Sequence, residues 1–398
     1  MPTDLIHTDV LRETVIEAGK NAGLLSVGVC TAEPFMETKH VLEERKAQGL
    51  HSTMQFTYRN PQRSTTPTWH MADAKSIVVG ALDFAQSVEL ETQTKRYQTS
   101  DNGDHKARGK VGAYVRDDHY GKLRDALEAM AQVLRQAGFG AFLSFDENSL
   151  VDRAAAYRAG LGWQGKSANL LLPGVGSMAV LGSIITDAPL CEADPEPMDD
   201  GCGTCQKCLD GCPTGAIIAP GVLDARKCLA WMVQSEGVFP RQYRATLGDR
   251  IYGCDDCSDV CPPNQVRLRS RKSPMDAISA QAATVSPLDI LNATDNELLE
   301  RHGRWYIPKR EPKYLRRNAL VVLGNVGDPS QTEVRDVVEG LLSDDDPLIV
   351  AHAIWCAKRL GIPIAQVAHA QVAHADDPLV VEELETEVEP RSDLLVAV

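Results

Sequence analysis

Residues 202–213 read Cys202-Gly203-Thr204-Cys205-Gln206-Lys207-Cys208-Leu209-Asp210-Gly211-Cys212-Pro213, a C-x2-C-x2-C-x3-C-P run. This spacing wraps a cubic iron–sulfur cluster: the short gaps let one tight loop set three thiolates on three corners, while the fourth cysteine points to a second cluster. A second run, Cys254-Asp255-Asp256-Cys257-Ser258-Asp259-Val260-Cys261-Pro262, carries Val260 where a further cysteine would be expected. Cys228 is the spare thiol between the runs. The eight thiols divide into Cys202, Cys205, Cys208 and Cys261 for one 4Fe–4S cluster and Cys212, Cys228, Cys254 and Cys257 for the other. Paired zinc sites fit poorly, because zinc favours paired knuckles, often with histidine, and no histidine lies between His119 and His302. Pro213 and Pro262 stiffen the chain after each crossing cysteine. Two clusters with exchanged ligands form a one-electron wire, and a wire needs a terminus where chemistry occurs.

The rest of the chain bounds that terminus. Its 398 residues suggest two or three domains, and 43% apolar with 24% charged residues excludes a disordered chain, a collagen or a disulfide mini-scaffold. Lys and Arg number 41 against 55 Asp and Glu, a net charge of −14, which excludes a globally basic nucleic-acid coat but not a local basic patch. Met1-Pro2-Thr3-Asp4 shows no basic leader, and the apolar run Leu170 to Ile185 is broken by Pro173, Gly174, Gly176 and Gly182. A cytoplasmic protein with no membrane span is expected, its thiols reduced. The isolated Cys30, Cys191 and Cys356 read as small buried hydrophobes.

Residues 5–25 read as an amphipathic helix with Leu5, Val10, Leu11, Val15, Ile16 and Ala18 on its apolar side. Ser76 to Leu82 reads as a buried strand, Leu123 to Ala137 as a helix closed by Gly138, and Ala141 to Phe145 as a short strand. Val151 to Ala159 reads as an Ala-rich helix. Asn169 to Leu172 and Met178 to Thr186 read as strands joined by the turn Pro173-Gly174-Val175-Gly176. The mixture predicts an α/β domain over 1–190. A Pro- and acid-rich linker, Cys191 to Asp200, leads into a ferredoxin-like module, so that 191–270 forms a second domain. Leu315 to Gly324 recurs loosely as Leu348 to Ala357, 33 residues on, with Asp-Pro turns at 328–329 and 346–347. This predicts HEAT-like helical repeats over 271–365. Residues 366–398 are taken as a frayed acidic tail.

Two motifs fail their context. Gly160-Leu161-Gly162-Trp163-Gln164-Gly165 matches G-x-G-x-x-G, but it follows a helix and leads into a strand, the reverse of a dinucleotide fold. It reads as a tight helix-to-strand turn, with Lys166 either meeting a phosphate or standing as a solvated charge. Asp117-Asp118-His119-Tyr120-Gly121 approaches the corrinoid motif D-x-H-x-x-G, but Lys122 takes the place of the glycine. A helix cap at Asp117 or Asp118 is the better reading.

Together, Gly160 to Lys166, Gly176-Ser177, Thr186-Asp187, Cys202 to Ile217, Leu223-Asp224, and Tyr252 to Asn264 make the chain resemble the epoxyqueuosine reductase family over roughly residues 5 to 360. That family is distantly similar to reductive dehalogenases. The resemblance implies a cobalamin-binding α/β domain with a nitroreductase-like core, followed by the dicluster module and the helical repeats. It also implies reduction of epoxyqueuosine to queuosine in a tRNA anticodon loop, the final step of queuosine biosynthesis. The family's general acid lies in V-D-x-x-P-x-x-E-R, fourteen residues before the glycine turn, which gives Asp146 here. Arg153 is kept, Asp152 replaces the glutamate, and the proline is absent. Asp146 also follows the strand Ala141 to Phe145, and strand ends are where α/β folds open their sites. Arg63, Tyr114, Asp146, Leu170, Ser177, Leu181 and Asp255 are the residues expected to face the corrin.

On this reading the clusters feed electrons singly to the cobalamin, and Asp146, its pKa raised by burial, protonates the opened epoxide oxygen. An external low-potential donor supplies the electrons, and the protein is expected to be a monomer. The alternatives are a corrinoid reductase of a small epoxide or organohalide and a plain dicluster electron carrier. Ala230 to Glu236 departs from the family pattern and is expected to touch substrate. Arg301, Arg304, Lys309, Arg310, Lys313, Arg316 and Arg317, interleaved with Trp305, Tyr306 and Tyr314, form the expected tRNA patch, with Arg267, Arg269, Arg271 and Lys272 adding to it.

Overall fold

The structure, a computed structural model, describes residues 2–85, 107–270, 282–364 and 372–391. The chain forms two compact units: residues 1–90, 117–227 and 255–279, and residues 91–116, 228–254 and 280–398. Neither is a single stretch of chain.

In the first unit Ser76-Ile77-Val78-Val79-Gly80-Ala81-Leu82 carries no polar alternation, which a strand covered on both faces requires. It forms most of β2 (Ser76–Asp83), flanked by β1 (Ser26–Thr31) and β4 (Ala179–Thr186), with β3 (Phe142–Ser144) beyond β4. All pairs are antiparallel. Val78 and Leu82 join Val15, Leu123, Leu127 and Met130 on one face. That layer is α1 (Pro2–Asn21) and α2 (His119–Gln136). Ile77, Val79 and Ala81 face the other way, against Ala154, Ala155 and Ala156 of α3 (Asp152–Arg158). Each large aliphatic side chain so buried contributes roughly 1.5–3 kcal/mol. Gly182 allows the helix layer its approach, since a Cβ there would stand 2.7 Å from Leu127 Cδ1.

Several local expectations need correction. The first helix ends at Asn21, because Gly23 at φ +97° turns the chain into β1. Val10 is exposed rather than packed, and Leu5 lies among residues whose side chains are not described. The strands around the glycine turn are not partners: Leu170 and Leu171 pair with Gln164 and Trp163, whereas 179–186 joins the main sheet. Cys191 is only half-buried, while Cys30 and Cys356 are buried. The linker is anchored: Asp194 accepts from Thr31 N at 2.7 Å and from Arg158 Nε at 2.8 Å.

The second unit centres on a three-stranded sheet in which 109–111 pairs parallel to 250–252 and antiparallel to 284–285. Helices Lys313–Val326, Thr332–Leu341 and Pro347–Leu360 supply much of its core. Asp346 caps the last of them through Leu348 N, with Pro347 in its first turn. The acidic tail is not wholly frayed. Residues Pro378–Glu385 form a helix capped by Asp377, Val380 is buried, and Glu383 bonds Arg244 at 2.8 Å. Among the described residues no helix is long and apolar enough to cross a membrane.

Candidate active site

Asp146 leaves β3 on the loop that runs to α3, and its backbone sits in the left-handed region at φ +48°. Aspartate tolerates that region better than most residues. The residue has an open edge, yet its carboxyl is crowded by protein, and this desolvation pushes its pKa to about 6 against an opposing hydrogen bond from Tyr120. Tyr120 sits in the first turn of α2, whose N-cap is Asp118, bonded to Gly121 N at 3.0 Å. The capping expectation therefore holds. Asp152, at the start of α3, is raised far above the usual carboxylate range by burial and then by the nearby charge of Asp146. Its Oδ1 is buried without a partner. Arg153 donates to Ala168 O. Tyr120 carried no signal in the sequence beyond its place beside His119.

Behind this loop, Ser64 Oγ donates to Asn148 O at 2.9 Å and Val151 N to Ser64 O at 3.2 Å. This brings the Pro61–Ser64 turn, and with it Arg63, beside the Asp146 loop. The His70 ring stacks on Phe142 at 5.1 Å, against the backbone of Ser149 and of Arg63. Burial pushes its pKa down, so the ring is neutral at pH 7. Arg63 Nε, His70 Nε2, Ser144 Oγ and Ser183 Oγ are all buried without partners. Leu170 and Leu181 both join the apolar cluster that contains Leu150. Orphaned donors beside an apolar wall are what an amide-fringed, largely apolar macrocycle needs.

None of the eleven cysteines is in a disulfide. Within the first unit, Cys261 is pushed up to about 11 by burial, opposed by the Asn264 N–H, and raised further by Cys202, Cys208 and Cys205. The four thiols of the first proposed set are therefore electrostatic neighbours. Cys212 goes the other way: burial raises it, but N–H groups of Ile217, Thr214 and Ala216 more than offset this. The Ala216 N–H reaches Cys212 Sγ at 3.2 Å. Donors aimed at sulfur stabilise the thiolate form and tune a cluster's potential. Cys257 belongs to the first unit; Cys228 and Cys254 belong to the second.

Gly160, at φ +71°, makes the turn after α3, and Leu161 N bonds Ala156 O at 3.0 Å. Lys166 Nζ donates to Gly203 O at 2.6 Å in the first cysteine loop, at a site open to solvent. The second glycine turn is held by Asn264, which was visible only as part of the family pattern. Its Oδ1 accepts from Ser177 N at 2.8 Å, and its Nδ2 donates to Ser177 Oγ at 2.9 Å and Ser258 O at 2.8 Å. Asp255 accepts from Ser258 N at 2.8 Å and precedes the Asp256–Asp259 helix.

Tyr114 lies in the second unit, where its hydroxyl accepts from Gln234 Nε2 at 2.8 Å. The basic segment of that unit divides in two. Arg317, Trp305 and Tyr314 are core, not surface. Arg316 bonds Asp295, and Lys313 lies between Glu311 and Asp346. Arg301, Arg304, Tyr306, Lys309 and Arg310 are exposed, with Lys309 bonded to Glu236 at 2.6 Å. In the Ala230 to Glu236 segment, Trp231 is buried and stacks toward Tyr306 at 6.5 Å. Arg267 pairs with Asp83 at 2.5 Å in the first unit, whereas Arg271 and Lys272 lie outside the described residues.

The 4Fe-4S double cluster binding domain matches residues 201–264. Layered α/β structure with this module defines a dicluster iron–sulfur oxidoreductase. The chain is 31% identical over 355 residues to the epoxyqueuosine reductase of Bacillus anthracis, covering 88% of this chain and 89% of that one. It belongs to the epoxyqueuosine reductase family. An epoxyqueuosine reductase solved with a tRNA-Tyr epoxyqueuosine-modified stem loop superposes with a TM-score of 0.82, at 28% identity, over 95% of this chain and 98% of that one. The Bacillus subtilis enzyme, solved with its catalytic aspartate loop swung out of the active site, superposes at 0.80 and 28% identity over the same shares.

Proposed function

We propose that this protein reduces epoxyqueuosine to queuosine in a tRNA anticodon loop, using two 4Fe–4S clusters and cobalamin. The observation that carries the reading is the match over nearly the whole chain to an enzyme holding an epoxyqueuosine-modified stem loop. Conversion of an epoxide to an alkene consumes two electrons and two protons and releases water. When bound, the corrinoid supplies the low-potential centre at which the epoxide carbon–oxygen bond is reduced. The cysteines hold the clusters that deliver electrons one at a time: Cys202, Cys205, Cys208 and Cys261 for one, Cys212, Cys228, Cys254 and Cys257 for the other. Arg63, Leu170, Ser177 and Leu181 hold the corrin, with Tyr114 and Asp255 approaching it from their own segments.

Asp146 supplies the proton. Its carboxyl is placed at the mouth of the β3–α3 loop and turned by an aspartate-tolerated left-handed backbone, and Tyr120 fixes its orientation. Burial raises both carboxyls, and the charge of Asp146 raises neighbouring Asp152 further. As the epoxide opens, its oxygen takes that proton. Residues 1–190 carry this site on a nitroreductase-like core and 191–270 carry the clusters. Residues 271–365, read as HEAT-like repeats, present Arg301, Arg304, Tyr306, Lys309 and Arg310 to the tRNA, and the Pro378–Glu385 helix of the 366–398 tail packs on that layer. The protein acts in the cytoplasm as a monomer served by an external low-potential donor.

Reconstitution with iron, sulfide and cobalamin, followed by turnover of epoxyqueuosine-containing tRNA under a chemical reductant, tests the reading. Queuosine formation is expected. Cobalamin binding with turnover of a small epoxide and none of the tRNA would replace it with a small-molecule reductase. Cluster absorbance with no cobalamin uptake would leave an electron carrier.

A further inference from the structure

Electron delivery needs the cluster and its acceptor at a fixed separation, so something must lock the second cysteine loop to the corrin-side turn. We propose that Asn264 is that positioning residue: it ties the cluster ligand Cys261 to the Gly-rich turn at Ser177 and thereby fixes the path of the electron into the active site. The inference deepens the reductase reading and rests on it.

Asn264 stands three residues after Cys261, in the first turn of α4 (Pro262–Ser270), and is wholly buried. Its backbone N–H points at the Cys261 sulfur. Its side chain spends all its hydrogen-bonding groups on the neighbouring loops: one amide hydrogen goes to Ser177 Oγ, the other to Ser258 O, and the oxygen accepts the Ser177 N–H. The Ser177 N–H fixes which end of the amide faces it, since a flipped amide would set donor against donor. Ser177 Oγ and Ser258 Oγ close the ring at 3.2 Å. Gly176 makes the approach possible. A Cβ there would stand 1.8 Å from Asn264 Oδ1, and at φ +78° the position already favours glycine. One residue later on α4, Gln265 Nε2 donates to Asp259 O, and Arg267 pairs with Asp83 at the end of β2. The cluster loop is thus held to the catalytic layer by a built network. Gln265 N and Ser258 O bond the Cys261 backbone, and Asn264 is the member whose N–H is directed at the Cys261 sulfur.

The step it serves is a simple transfer. One electron leaves the reduced cluster, which is oxidised, and enters the bound corrinoid, which is reduced, with no proton or bond exchanged. Asn264 neither donates nor accepts the electron; it sets the distance.

The test uses the full chain carrying both clusters and cobalamin, with excess dithionite as reductant. Asn264→Ala and Asn264→Asp are compared with the parent. Iron and sulfide content, and the low-temperature EPR signal of the reduced clusters before cobalamin is added, report cluster integrity. Hydrogen exchange at the Ser177 amide reports the clamp itself. Stopped-flow absorbance follows reduction of the corrinoid.

With clusters intact, Ser177 exchange is expected to accelerate in Asn264→Ala. Corrinoid reduction should slow by at least several-fold, because the electron-transfer rate falls steeply as the cluster-to-acceptor distance grows. Asn264→Asp, which keeps an acceptor for Ser177 N–H, should fall between. kcat should fall with the reduction rate while KM for tRNA holds. Unchanged reduction kinetics at full cluster content overturn the proposal, and so does loss of clusters from both variants, which would make Asn264 a folding residue of the cysteine loop. Failure of the parent protein to take up cobalamin would instead sink the reductase reading itself, so the two failures are distinguishable.

Discussion

Arg317 and Arg63 are the same side chain put to opposite uses. Arg317 is wholly buried in the second unit with no carboxylate beside it among the described residues, and burial pulls its pKa down. Its donors are nevertheless used: Nε and Nη2 reach Asn318 Oδ1, Nη1 reaches Ser235 O and Gly237 O, and Nη2 also reaches Met232 O. A charged donor whose hydrogens all meet carbonyl dipoles is a structural strut. Arg63, in the first unit, keeps a buried Nε with no partner, and it sits beside the Asp146 loop. A buried donor left unpaired costs free energy. The polar atoms in this part of the first unit that remain unpaired, with Asp152 Oδ1 among them, leave hydrogen-bonding capacity for a bound group.

The comparison breaks first at Asp146. Replacing Asp146 by Asn removes the proton and keeps the shape, and turnover is expected to fall roughly 10²- to 10⁴-fold, the usual contribution of a positioned acid. Cluster absorbance and cobalamin uptake should not change. Parental turnover in this variant would remove Asp146 from its role. The pH dependence has a definite sign. With the carboxyl lifted to about 6, its acid form is filled below that pH and emptied above it. If that acid form limits the rate, kcat/KM declines about tenfold per pH unit on the alkaline side. The stability effect runs opposite to that of a salt-bridged carboxylate. The ionised group is a cost present above the folded pKa and absent below the unfolded one. Asp146→Asn should therefore melt above the parent near pH 8, with the gap closing near pH 4. Thermal melts at the two pH values check it.

Arg317→Met tests the strut. It leaves the carbonyls of Met232, Val233, Ser235 and Gly237 facing an apolar chain. Ser235 O and Gly237 O lose the Arg317 donor, while Met232 O and Val233 O keep one from Ser235 and from Asn318, so a loss of about 3 kcal/mol is expected from denaturant titration. Turnover per folded molecule should hardly move. Arg63→Met should do the reverse: cobalamin affinity weakens about tenfold, the worth of one well-placed hydrogen bond, and the melting temperature stays near that of the parent. Equal responses from the two variants would erase the distinction between them.

The same contrast explains what could be read from the chain before its fold was known. Cluster ligation is written in local spacing, so Cys202 to Cys212 announces itself within a dozen residues. The buried strand at Ser76–Leu82 is equally local. The basic stretch from Arg301 to Arg317 misleads, because its composition is the same whether a given arginine meets phosphate or carbonyl. What decides Arg317 is a set of backbone oxygens 80 to 85 residues away in sequence. Trp305 is decided likewise by Tyr252, on which it stacks at 4.5 Å. Asn264 and Tyr120 belong to the same class. Their partners, Ser177 and Asp146, lie 87 and 26 residues off in the sequence, and no periodicity links them.

The smallest expected effect sharpens the division within that basic stretch. Arg304 is exposed, as is Arg301, whose guanidinium pairs only loosely with Glu297 at 3.5 Å. If Arg304 meets a tRNA phosphate, each salt titration of binding should lose about one unit of log–log slope in Arg304→Gln, with a few-fold weaker affinity at low salt. Lys313, held between Glu311 and Asp346, has its charge already spent on the protein, so Lys313→Gln should leave the slope where it was. Exposed Tyr306 makes a different kind of contact, since stacking on a splayed base carries no counterion release. Tyr306→Ala should therefore weaken binding equally at low and high salt. An identical slope in Arg304→Gln would place the tRNA on another face of the helical layer.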